Sequence, residues 1–268
     1  MAEILYAPNR ETVVTSNAWA FLQWLRTVHG VDLDGWAALQ RFSAEHPGTF
    51  GTAMTAFARL PNQPLRLARR CGTPEALVLR RADGRRIAFS GEAIRNIGVG
   101  VLPPEVAAPL ERLWPTSALI RPLADLLLHA DLRRDDRLLA TGPAWPWPAA
   151  LLEGTTVILT AADPAALLAT AAEEAATVVV APARSLAEAA FRRPRHRPDL
   201  RHLRTIVATG GPLSPEGRRR IYTWVKSDLM LFARTGDTLW GNPLEPVLAR
   251  PPATPALLTP PASTPATP

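Results

Sequence analysis

The residues of this chain whose types and spacing best suit a ligand are Gly210-Gly211-Pro212, in the stretch Leu203 to Pro215. Thr205 to Thr209 is a β-branched apolar run, and Ser214-Pro215-Glu216 opens a helix with a capping serine and a first-turn proline. The order is strand, sharp turn, helix. In open α/β sheets, ligands sit at the carboxyl ends of strands, where such turns lie. Paired glycines let a backbone approach a flat ring or a phosphate, because no Cβ intervenes. The competing reading is purely structural, since most strand-to-helix turns of a parallel sheet bind nothing.

Other chemistries have less support. The single cysteine, Cys71, excludes a disulfide within the chain, and the five histidines are scattered without metal-ligand spacing. Gly98-Val99-Gly100 lacks the third glycine and the helix start of a dinucleotide fingerprint. The formal charge of +6 comes almost wholly from arginine, with Lys226 the lone lysine. No aromatic residues interleave with those arginines, so a solvated face fits better than a nucleic-acid groove.

The elements that must position the turn follow from periodicity. With 268 residues, 47% hydrophobic and 20% charged, the chain is long and apolar enough for a real core. Residues 1 to 60 read as a helical segment, with Trp19, Leu22, Leu25, Trp36, Leu39, Phe50, Met54 and Phe57 at helical spacing, where core packing is the usual role. Residues 61 to 118 hold an irregular connection and a hairpin, Glu75 to Leu79 and Arg86 to Phe89, turning at Asp83-Gly84. From 119 to 242 strand and helix alternate, the pattern of a parallel-sheet core flanked by helices. Asp163-Pro164 predicts a helix start. From 243 to 268 nine prolines stand among alanine and threonine, which predicts a disordered tail or a ligand for a proline-binding groove. The N-terminus lacks the plan of a signal peptide, and no apolar run approaches ~20 residues. A cytoplasmic protein with no membrane partner is expected.

Several blocks carry a family resemblance. His129 to Arg133 with Asp136-Arg137-Leu138, Glu153 to Leu159, Asp199 to Ile206 running into Thr209 to Gly217, Val225 to Asp228, and Gly241-Asn242-Pro243 together resemble the AMP-forming acyl-CoA synthetases, nearest to the acetoacetyl-CoA synthetases. Leu5 to Pro8, Phe21 to Leu25 and Phe42 to Pro47 extend the resemblance to the N-terminus. It implies the α/β fold of part of an adenylate-forming enzyme's N-terminal domain.

The resemblance also implies roles. Gly210, Gly211 and Pro212 would lie against the adenine and ribose of ATP, AMP or an acyl-adenylate. Thr235-Gly236-Asp237 would stand where that family serves the α-phosphate and magnesium. Trp145 and Trp147 would border an acyl substrate, although core packing explains them equally well. The family's phosphate loop should precede Leu119, yet Leu113 to Ala118 has neither glycine nor lysine. Its later acidic motif and its lysine-bearing C-terminal domain have no counterpart in the 268 residues, so no catalytic residue is assigned. The expectation is therefore a shortened relative that binds adenylate weakly. The alternatives are a ligase with an atypical site or a partner, an interaction module, and a decayed gene. Exposed sheet edges would favour a homo-oligomer.

Overall fold

The computed structural model describes residues 3–58, 75–81, 83, 85–90, 122–141, 147–161, 163–192, 198–236 and 238–250. In chain order the elements are β1 (Ile4–Tyr6), α1 (Arg10–Val14), α2 (Asn17–His29), α3 (Trp36–Glu45), α4 (Pro47–Phe57), β2 (Leu77–Arg80) and β3 (Arg86–Phe89). A widened helical turn, α5 (Asp125–His129), precedes β4 (Arg137–Thr141), α6 (Trp147–Glu153), β5 (Thr156–Thr160), α7 (Leu167–Glu173) and β6 (Val178–Pro182). Then come α8 (Ala183–Phe191), β7 (Thr205–Thr209), α9 (Pro215–Arg220, with a wider last turn over Ile221–Val225), β8 (Met230–Thr235), β9 (Thr238–Trp240) and β10 (Val247–Leu248).

Eight of the strands form one sheet in the order β3-β2-β5-β4-β6-β7-β8-β9. The strands from β2 to β8 run parallel, and β3 and β9 close the edges antiparallel. The continuous apolar runs explain the centre, because strands covered on both faces need apolar residues at every position. Leu138, Ala140, Val157, Val180, Val207 and Phe232 share one core with Phe21, Leu25, Leu39 and Phe50 of the first helices. Their neighbours Leu139, Ile158, Val179, Ile206 and Leu231 share the other with Leu186, Ile221 and Tyr222. The helical segment read over residues 1 to 60 is thus one covering layer of the sheet, and α7 to α9 form the other.

Four details differ from the sequence reading. Ile4–Tyr6 is a strand inside the stretch read as helical, and it pairs antiparallel with β10. That partner lies inside the stretch read as tail, so the chain is ordered past residue 243. Arg218 Nη1 donates to the Leu248 carbonyl at 2.7 Å, and Arg219 pairs with Glu3, fixing both short strands to α9. Helix α7 starts at Leu167 because Asp163 first closes a turn, accepting from Ala165 N at 3.0 Å and Ala166 N at 2.8 Å. Finally, the sequence places a short helix at Ala149 to Glu153, after the tryptophan-proline turn, whereas α6 begins two residues earlier, at Trp147. The remainder of the expected tail, 251–268, lies outside the described residues, as do Gly98, Gly100 and 113–118.

The amino ends of β4, β6 and β7 are joined by buried ions. Arg204 lies 3.2 Å from Asp131 and also pairs with Asp136, while Thr177 donates to Asp136 at 2.7 Å. Asp131 accepts the Asn17 amide of α2 at 2.7 Å. Arg204, Asp131 and Asp136, which belong to the blocks that carried the family resemblance, thus connect the helical layer to the sheet.

Candidate functional site

Strands β7 and β8 end side by side, with Thr209 opposite Arg234. Gly210 then takes φ 79° and Gly211 φ 141°, and Gly211 N donates to the Arg234 carbonyl at 3.1 Å. This bond carries the sheet ladder into the turn and holds it against β8. Ser214 caps α9 by accepting from Gly217 N at 3.1 Å. The strand, turn and helix of the sequence reading are all present.

Gly210 and Pro212 are exposed. A Cβ built on Gly210 would meet nothing within 4 Å, and one on Gly211 would meet only Thr235 Oγ1, at 3.9 Å. Space is therefore available for a planar group to lie on the backbone, and backbone strain, not crowding, is what requires glycine. An L-residue at such φ values costs roughly 1–3 kcal/mol. Gly210→Ala and Gly211→Ala are each expected to lower the urea-unfolding free energy by about that amount, Gly211 the more. Equal stability to the unsubstituted protein would remove the backbone argument for the turn.

The second motif stands beside the first. Thr235 ends β8, pairs across the hairpin with Thr238, and is exposed with Gly236 at φ 56°. Thr235 and the Gly210–Pro212 turn are therefore neighbours at one carboxyl edge. Asp237 lies outside the described residues. Magnesium takes oxygen donors around a carboxylate. Among the described residues, the carboxylate that follows the turn in sequence is Glu216 in the first turn of α9, and it pairs with Arg220 at 2.9 Å. Among the described residues no group of three His, Cys, Asp or Glu side chains could hold a metal ion, and no helix is long and apolar enough to cross a membrane.

The proposed acyl-side residues fall differently. Trp147 is 1% exposed and belongs to the core with Leu138 and Phe232, so packing accounts for it. Trp145 lies outside the described residues. Lys226 is fixed at the other end of the sheet: its Nζ donates to the Leu203 carbonyl at 2.6 Å and to that of Arg201 at 3.1 Å. At ~3.3 Å per residue, β7 separates Leu203 from Gly210 by about 20 Å. The chain's one lysine is thus far from the turn.

Sequence reasoning gave His129 and Gly241 no individual role. His129 Nδ1 lies 2.8 Å from the Gly241 carbonyl, just beyond β9. Their signal was present only as membership of two separate family-like blocks, and nothing in either block says that they touch.

No family model matches the chain. A curated relative, the acetoacetyl-coenzyme A synthetase of Rhizobium meliloti (strain 1021), is 42% identical over 60 residues, which is 20% of this chain and 9% of that protein. The chain therefore matches only a small part of that relative's length. Among solved structures, the acetoacetyl-CoA synthetase from Streptomyces lividans superimposes with a TM-score of 0.72 at 16% identity, over 91% of this chain and 67% of that one. The chain thus shares the α/β fold of the Streptomyces lividans structure, with a sequence likeness to acetoacetyl-coenzyme A synthetase over 60 residues.

Proposed function

We propose that this chain is an acetoacetyl-CoA synthetase-like protein whose own residues do not complete acid:CoA ligation, and that Gly210, Gly211 and Pro212 give it weak affinity for the adenine end of AMP or an acyl-adenylate. The observation that carries the proposal is the position of Lys226. Adenylation depends on fixed positive charge at the α-phosphate as pyrophosphate leaves. The chain's lysine is bound to backbone carbonyls at the amino end of β7 instead. Leu113 to Ala118, where a phosphate loop would stand, has no glycine and no lysine, and polyphosphate needs inward backbone N–H groups plus a cation.

The turn and the adjacent Thr235 support nucleotide contact without that catalytic apparatus. Adenine would lie on the Gly210–Gly211 backbone, and the Thr235 hydroxyl stands beside it as a hydrogen-bonding group. With one face supplied and no phosphate clamp, AMP is expected to bind with a Kd on the order of 1 mM, about −4 kcal/mol. Purified chain given ATP, magnesium and acetoacetate should release no more pyrophosphate than a protein-free control. Calorimetric titration with AMP should show binding that Gly211→Val weakens. Robust acid-dependent pyrophosphate release would overturn the first half, and absence of AMP binding at several millimolar would overturn the second.

A further inference from the structure

We propose that His129 is a positioning residue for the candidate nucleotide edge, holding the β8–β9 hairpin in place from behind by its bond to Gly241. This deepens the reading of that edge as a nucleotide site and rests on it for ligand effects.

The hairpin is short and lies at the margin of the sheet. β9 is a three-residue edge strand which, among the described residues, pairs on one side only, to β8. One of its ends carries Thr238, opposite Thr235 at the candidate site. Its other end passes into Gly241, whose carbonyl meets His129 Nδ1 at 2.8 Å. A carbonyl can only accept, so Nδ1 carries the proton and donates.

Gly241 is also packed tightly against β8. Its φ is 96°, and a Cβ there would lie 2.7 Å from the Phe232 ring. His129 thus fixes the chain leaving β9 at a point where it is pressed onto its neighbour strand. The imidazole is itself fixed, being 1% exposed and edge-on to Trp36 at 4.7 Å between ring centres. Trp36 belongs to α3, so the bond couples the helical layer to an edge strand on the far side of the sheet's centre. Beyond it, Asn242 accepts from Leu244 N at 2.9 Å and donates to Glu245 at 2.6 Å, turning the chain toward β10. Anchored on both sides of Gly241, β9 is held in a fixed register, and Thr235 with it.

The test compares His129→Leu with His129→Asn by amide hydrogen exchange and by AMP titration. Asparagine keeps an N–H where Nδ1 stands, whereas leucine has none. Loss of one net hydrogen bond corresponds to about a tenfold change. In His129→Leu, exchange of the Trp240 amide, which faces Ala233 of β8, should rise about tenfold beyond any rise in β4 and β6, and His129→Asn should restore most of the difference. AMP affinity should follow the same order. Equal acceleration in β4, β6 and β9 in both variants would make His129 a packing residue and overturn the proposal. Imidazole nitrogen shifts of the unsubstituted protein give a measurement that needs no variant: a proton on Nε2 instead of Nδ1 would also overturn it. If AMP does not bind the unsubstituted chain, the nucleotide reading fails, while the exchange data still decide what His129 does to the hairpin.

Discussion

Replacing Arg204 with methionine is expected to cost about 3 to 5 kcal/mol of stability, more than substitution of either turn glycine. Arg204 stands between two carboxylates that water barely reaches: Asp131 is 1% exposed and Asp136 is 4% exposed. Burial pushes the Asp131 carboxyl above the usual range, opposed first by Arg204 and then by the Asn17 amide and Arg133. Without the guanidinium, Asp131 keeps only the half-exposed Arg133 at 2.8 Å and the Asn17 amide, and Asp136 keeps only its hydrogen bonds from Thr177 and the Arg133 amide. Methionine supplies only the apolar stem, so the cost is that of buried charge left short of its main partner, not the net value of the ion pair.

That cause has a signature in pH. A carboxyl whose folded pKa lies above its unfolded value gains stability as pH falls through the folded value. Asp131 is pushed further up once Arg204 is gone, so the deficit of Arg204→Met should be greatest near neutrality and should narrow on acidification. Urea melts of both proteins at pH 7 and pH 5 check this. A deficit under about 1 kcal/mol at pH 7 would show that the pair is solvated like a surface ion pair. A deficit that does not change with pH would point to lost packing of the arginine stem.

The contrast between Lys226, Arg204 and the glycine turn shows what a sequence discloses. The turn was legible because its constraint is local: a β-branched run, two glycines and a capped helix are adjacent, and backbone geometry follows from residues in contact along the chain. The helices of residues 17–57 were legible for the same reason, their apolar residues repeating at the helical period. Arg204 was visible only as part of a family-like block. Its role at the amino ends of β4 and β7 depends on Asp131 and Asp136, more than sixty residues earlier. The β1–β10 pair was not legible at all. Two-residue strands have no periodicity to read, and Val247–Leu248 sits among prolines that argue against a strand. What makes it a strand is Ile4–Tyr6 at the other end of the chain. Likewise, Lys226 could be seen as the only lysine, but only the fold shows which end of the sheet it serves.

Acidification from pH 6.5 to pH 4 is expected to remove about 3 kcal/mol of stability through His129 alone. Burial holds its imidazole down at about 4, against an ordinary 6.5, and the bond to the Gly241 carbonyl opposes that only in part. The unfolded chain takes up a proton near pH 6.5, whereas the folded chain does not until about pH 4. Between those values the unfolded state binds more protons, so stability rises with pH. The contribution is fully present above about 6.5 and lost as pH falls toward 4, where the slope from this residue ends. At about 1.4 kcal/mol per unit, a shift of this size gives the figure stated. Arg86 holds the Glu75 carboxyl below its usual range, so Glu75 adds a stabilisation of its own that is also lost in acid. His129→Asn isolates the histidine. That variant should be less stable than the unsubstituted protein at pH 7, and its stability should be flatter between pH 6.5 and 4 by about 3 kcal/mol, so that the two curves converge in acid. Parallel curves would mean that the imidazole is charged in the folded state, and a charged ring sealed against Trp36 is incompatible with the burial on which the whole coupling of helical layer to hairpin depends.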